Sequence, residues 1–107
     1  MEDKQVGFKT YEEFWPYYLS QHANPVNRLL HFVGTSCALG SIVLAALVSW
    51  RFVLAAPVAG YGFAWAGHFF FETNRPATFS YPLWSLRADL QMWWWTLREL
   101  SWSEGAR

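Results

Sequence analysis

Charge is what this chain has least of. Eight basic and eight acidic residues make up 15% of its 107 residues, against roughly 25% in an ordinary soluble domain. Their balance leaves no net charge, so nothing suggests a nucleic-acid partner and none is expected. From Leu29 to Trp50, and again from Phe52 to Phe71, no Lys, Arg, Asp or Glu occurs; Arg51 alone separates these uncharged runs of 22 and 20 residues. Cysteine is nearly absent too. Cys37 stands alone, which excludes an internal disulfide, and its apolar neighbours offer nothing to stabilise a thiolate, so it reads as a structural residue.

What the chain does have is aromatic surface: 21% Phe, Trp and Tyr, with eight tryptophans. Tryptophan prefers the headgroup level of a bilayer. Both uncharged runs reach the roughly 20 residues needed to cross about 30 Å of hydrocarbon. Glu12, Glu13, Trp15 and Pro16 precede them, so the first run is expected to be a span and not a cleaved signal peptide. The length suits one domain. These features predict an all-α membrane protein: a two-span antiparallel hairpin flanked by N- and C-terminal amphipathic, interfacial helices. A mean hydropathy of +0.04 leaves a soluble four-helix bundle as the alternative.

Residues 1–107 are read as one helical membrane domain. Thr10 and Glu13 make a capping box, and an interfacial segment is placed over 10–22, with Pro16 expected to kink or break it. Asn24 can cap the next helix, whose first position suits Pro25, and span 1 is placed over 25–50. Span 2 covers 54–74, because Pro76 disfavours helix in the residue before it. An amphipathic helix over 82–102 presents Leu83, Leu86, Leu90, Trp93, Leu97 and Leu100 as its apolar stripe. Its Arg87, Asp89, Arg98 and Glu99 make a third crossing expensive, so it should lie in the interface or pack along the bundle. Lys4, Lys9 and Arg28 precede the spans, Arg75, Arg87, Arg98 and Arg107 follow them, and Arg51 marks the connector. Both termini should then face the cytosol of an integral, inner-membrane protein.

Gly60, Ala64, His68 and Glu72 share one helical stripe, and Gly34, Ala38 and Ala45 answer on the first span below Asn27 and His31. Small residues mark an interhelical seam with polar groups at one end. Folding back near Arg51 brings His31 level with His68, roughly 28 Å from the turn, and Asn27 level with Glu72. His22 can fold over the same end. All three histidines, with Glu72, thus form a candidate metal site: His22, His31, His68 and Glu72. Imidazoles with a carboxylate suit iron, zinc or copper, and two histidines with one carboxylate is the arrangement of non-haem Fe(II) oxygenases. The alternative is that these polar groups hold the helices together. Glu72 and Asn27 are the candidate catalytic residues. Arg28, Arg75 and Asn74 are candidates for substrate binding, the arginines as a clamp on a carboxylate or phosphate or as headgroup anchors. Asp89 either pairs with Arg87 or Arg28 or supports a histidine from behind.

The segments "HANPVNRLLHFVG" and "GHFFFETNRPATFSYPLWSLRADLQMW" together resemble the family of small membrane proteins typified by the fungal 2-hydroxy fatty acid dioxygenase of phytosphingosine breakdown. The resemblance runs from about His22 to Met92 and suggests a short, bacterial-type member. It implies an Fe(II)-dependent alpha-oxidation in which a 2-hydroxy fatty acid and dioxygen give carbon dioxide and a fatty acid one carbon shorter. The family's motif histidines fall on His22, His31 and His68, and its motif acid on Glu72. The acyl tail would lie in membrane lipid beside Phe69, Phe70 and Phe71. A zinc-dependent lipid-modifying hydrolase with Glu72 as base, or a non-enzymatic membrane scaffold, are the competing readings. The lateral surface of a two-span hairpin suggests a homodimer.

Overall fold

The structure, a computed structural model, describes residues 7–106, with side chains described over 7–99. Lys4, Arg107 and the side chain of Leu100, used in the expectations above, lie outside that range. The described elements are helical: α1 (Tyr11–Ser20), α2 (Pro25–Leu47), a 3-10 segment (Trp50–Leu54), α3 (Ala55–Ala66), a π-helical turn (Gly67–Glu72), a short 3-10 turn (Ala77–Phe79) and α4 (Pro82–Ala106).

The helix starts follow local chemistry. Thr10 Oγ1 accepts the Glu13 N–H at 3.2 Å, and the Glu13 carboxylate accepts the Lys9 N–H at 3.1 Å. Asn24 caps α2 by accepting the Val26 N–H at 2.8 Å, with Pro25 in the first turn; such a cap contributes about 1 kcal/mol. Contrary to expectation, α1 runs through Pro16 unbroken. Proline removes the bond to the Glu12 carbonyl, but Glu12 is exposed, so water can satisfy that group.

α2 and α3 form an antiparallel pair along the anticipated small-residue seam. A Cβ on Gly34 would stand 2.8 Å from Phe63 Cβ and 3.1 Å from the Ala59 carbonyl, and one on Gly60 would meet Ala38 Cβ at 3.7 Å. Backbones this close admit no larger residue at Gly34. Among the described residues one helix, α2, is by itself long and apolar enough to cross a membrane. Its partner differs from a single regular span: α2 ends at Leu47, the 3-10 segment makes the connector, and the return leg is the 12-residue α3 prolonged by the 6-residue π turn.

The flanking helices meet at the end of the hairpin where the histidines lie. α1 is more than an interfacial segment, because Tyr11, Phe14 and Tyr18 form a buried cluster with Ala77, Ala88 and Met92. The face that α4 buries is Ser85, Ala88 and Met92, not the leucine stripe read from its sequence; Leu83, Leu86, Leu90 and Leu97 are exposed. Small residues sit where α4 packs tightly, and the leucines point away from the chain. Further along, α4 packs on α2 through Trp93, whose ring stacks on Phe32 and whose Nε1 donates to Ser36 Oγ at 2.8 Å. Cys37 lies on an exposed flank of α2, so it fills no packing role.

Candidate metal centre

Three elements each deliver one imidazole to a single point. His22 follows the C-terminal end of α1, His31 sits in the second turn of α2, and His68 is the second residue of the π turn. All are buried, at 2%, 4% and 2% exposure. Their ring centroids lie 4.5, 4.5 and 4.9 Å apart, each pair edge-on. One ligating nitrogen from each lies within 4.8 Å of the others, and His22 Nε2 is 3.2 Å from His31 Nε2.

The other nitrogen of each ring is already engaged. His22 Nδ1 donates to the Tyr18 carbonyl at 2.6 Å, His31 Nδ1 to the Asn27 carbonyl at 2.9 Å, and His68 Nδ1 to Asn74 Oδ1 at 2.7 Å. Each acceptor fixes the tautomer with the proton on Nδ1, so every neutral ring turns a bare Nε2 lone pair inward. Lone pairs converging at this range repel unless a cation lies between them. Two nitrogens bound to one ion at about 2.1 Å would stand roughly 3.0–3.4 Å apart for octahedral to tetrahedral angles, and 3.2 Å fits that bite. Burial first, then repulsion from any proton taken up by His31 or His68, holds His22 down to about pKa 2, so its Nε2 stays unprotonated. The residues present therefore fit a divalent ion held by three neutral imidazoles.

The supports behind the rings come from sequence-distant contacts. Asn74 also donates through Nδ2 to the backbone and side-chain oxygens of Gln21, both at 3.0 Å, tying the end of α1 to the π turn. Thr73, just before it, is in the left-handed region at φ 57°. For a β-branched residue that conformation costs on the order of 1–3 kcal/mol, and it turns the chain so that Asn74 faces back at His68. Tyr18 stacks on His22 with centroids 4.0 Å apart, and its hydroxyl donates to Asp89.

Glu72 is placed differently from the sequence expectation. Its carboxylate accepts the Asn24 N–H at 3.0 and 3.2 Å and Asn27 Nδ2 at 3.0 Å, and it is not in the histidine cluster. The wider π turn advances less angle per residue than an α-helix, which carries Glu72 off the line through Ala64 and His68. Glu72 thus clamps the start of α2 and holds Asn27, whose carbonyl orients His31. Asn27 and Asn74 act from behind the rings. Arg28 lies over the Trp95 ring and Arg75 over Phe79, and neither lines the pocket. Asp89 bonds to Tyr18 and not to an arginine; Arg87 lies over Tyr11.

The pocket beside the histidines is lined by Tyr18, Ala64, Trp65, Thr78, Ser85 and Asp89 among others. Most of its empty space, about 220 Å3, is open mouth; the enclosed part, about 10 Å3, is about the room that one water or one ion takes. Tyr18, Gln21 and Ser85 were not legible as site residues. Tyr18 looked like one aromatic among many, and the only trace of Ser85 was its four-residue spacing from Asp89.

A family described as 2-hydroxy-palmitic acid dioxygenase Mpo1-like matches residues 8–100. No curated protein and no solved structure matches. The matched stretch includes all three histidines and every element that positions them, and the chain belongs to this Mpo1-like dioxygenase family.

Proposed function

We propose that the chain is a membrane-embedded Fe(II)-dependent dioxygenase that shortens 2-hydroxy fatty acids by one carbon. The observation that carries this reading is the convergence of three tautomer-locked imidazoles on a small pocket in a chain of the Mpo1-like family. In balance, a 2-hydroxy acid and dioxygen give the shorter acid, carbon dioxide and water. Ferrous iron, when bound, supplies the activation of dioxygen. His22, His31 and His68 would hold it, and three protein ligands leave positions for a chelating substrate and dioxygen.

The chain's own residues do the rest. Tyr18, Asn27 and Asn74 fix the ring orientations, the buried α1–α4 cluster keeps water from one side, and the substrate's head would approach through the pocket's open mouth. The acyl tail would lie outside, along Phe69, Phe70 and Phe71, which are 52%, 77% and 47% exposed. A lipid setting is supported by the apolar surface: α2's most apolar stretch is only 11% buried within the chain, and Leu47, Val48, Leu54 and Val58 are each more than 60% exposed. So much contiguous apolar surface calls for a cover. We place α2 and the return leg α3 with its π turn across the bilayer, with the histidine end and both termini at the cytosolic face.

A second reading rests on the donor set. Three imidazoles without a carboxylate are also a catalytic zinc arrangement. Metal analysis of air-free protein in detergent, followed by dioxygen uptake and product analysis with 2-hydroxypalmitic acid, separates the two. Iron near one per chain with formation of the C15 acid supports the dioxygenase, with both lost in His31→Ala and His68→Ala. Zinc at that stoichiometry without dioxygen uptake overturns it in favour of the second.

A further inference from the structure

The pocket holds a hydroxyl that has nothing to bind. Ser85 is 1% exposed, lines the pocket from α4, and its Oγ has no hydrogen-bond partner. A helical serine usually turns its hydroxyl to the carbonyl four residues back. Here the Tyr81 carbonyl takes the Ser85 N–H at 2.8 Å, and the hydroxyl stays uncommitted. A buried, unpaired hydroxyl is destabilising, which makes its presence in a pocket facing three imidazoles a pointer to a ligand.

Most neighbouring donors are occupied, and the two others on the lining, Thr78 Oγ1 and Trp65 Nε1, belong to residues less buried than Ser85. The Tyr18 hydroxyl goes to Asp89, and the three Nδ1 protons go to their acceptors. The arginines expected to clamp a carboxylate lie over aromatic rings instead. A 2-hydroxy acid that chelates a metal through its hydroxyl and one carboxylate oxygen leaves the second carboxylate oxygen without a partner, and an unpaired anionic oxygen in a buried site is costly.

We propose, resting on the dioxygenase reading above, that Ser85 Oγ donates to this second carboxylate oxygen, making Ser85 the residue that selects acids over neutral 1,2-diols. Asp89, one helical turn along, does not oppose it below about pH 7, because burial pushes its carboxyl up to about 7. An alanine fits the same space, so Ser85→Ala removes the hydroxyl without threatening the fold.

The test compares wild type and Ser85→Ala, both iron-loaded in detergent and free of dioxygen, titrated with 2-hydroxypalmitic acid and with hexadecane-1,2-diol. Loss of a hydrogen bond to a charged group predicts about ten- to hundred-fold weaker binding of the acid, unchanged binding of the diol, unchanged iron content and a Tm at or above wild type. If the wild type binds the acid and Ser85→Ala binds it equally well, the inference falls and the dioxygenase reading stands. Equal losses for acid and diol, or a variant that sheds iron or Tm, likewise overturn it, the last by making Ser85 structural. A wild-type chain that takes up no iron and binds no 2-hydroxy acid overturns both.

Discussion

Gly67 lies against the Asn27 side chain so closely that a Cβ there would overlap Asn27 Oδ1 and stand 2.9 Å from its Cγ. The contact joins the two legs of the hairpin one residue before His68 and one turn before His31. Asn27 is fully buried and fixed by Glu72, so it has nowhere to retreat.

Gly67→Ala should therefore cost about 1–3 kcal/mol of stability through overpacking and lower metal occupancy by displacing the carbonyl that orients His31. Thermal unfolding in detergent with metal analysis checks both. An alanine variant with wild-type Tm and full metal content would show that the interface has slack.

Asn74 holds the proton of His68 on Nδ1. Asn74→Ala should weaken metal affinity about 10–100-fold, the usual effect of removing a partner behind a ligand. Asn74→Asp keeps the acceptor for His68 but loses the two donations to Gln21, so it should lose less affinity than Asn74→Ala. Competition with a chelator of known affinity measures both, and equal affinities for all three proteins would place the orienting role elsewhere.

Burial raises the Asp89 carboxyl from its ordinary 3.8 to about 7, against a smaller opposing effect of the Tyr18 hydroxyl. A raised carboxyl pKa means the fold favours the protonated acid. Its stabilising contribution is complete below about pH 4, falls as pH rises, and is gone above about pH 7. Asp89→Asn has no such proton. Metal-free D89N should gain on the wild type by about 1.4 kcal/mol per pH unit between about pH 4 and 7, with histidine contributions cancelling in the difference. Denaturant titrations of both proteins across that range read it directly; a difference independent of pH would mean an ordinary carboxylate.

Cys37 gives a label for the membrane placement, since it is the sole cysteine and lies on an exposed flank of α2. In native vesicles a charged maleimide should leave it unmodified, and the same reagent should label it once the protein is unfolded in denaturing detergent, because the thiolate that reacts forms only in water. Rapid labelling by the charged reagent in intact vesicles would put this flank of α2 in water.

The seam and the site differ in how far the sequence disclosed them. Gly34, Ala38, Gly60 and Ala64 announce a close helix pair because backbone approach depends on local side-chain size, which each residue carries with it. Antiparallel return about a turn near Arg51 is likewise set by run length, and it brings His31 level with His68. The leucine stripe of α4 was legible, but the face it packs through, Ser85, Ala88 and Met92, was not, because periodicity finds an apolar stripe without saying what covers it.

What the sequence determined by itself was the helical pairing and the shared level of the histidines, because rise per residue and residue size are local properties. What tertiary structure decided was the role of each polar group. The π turn set Glu72 at the start of α2 and not beside the histidines, the left-handed Thr73 aimed Asn74 at His68, and α4 carried Ser85 and Asp89 into the pocket. Each depends on angular phase and on contacts between residues tens of positions apart, and composition and spacing do not encode either.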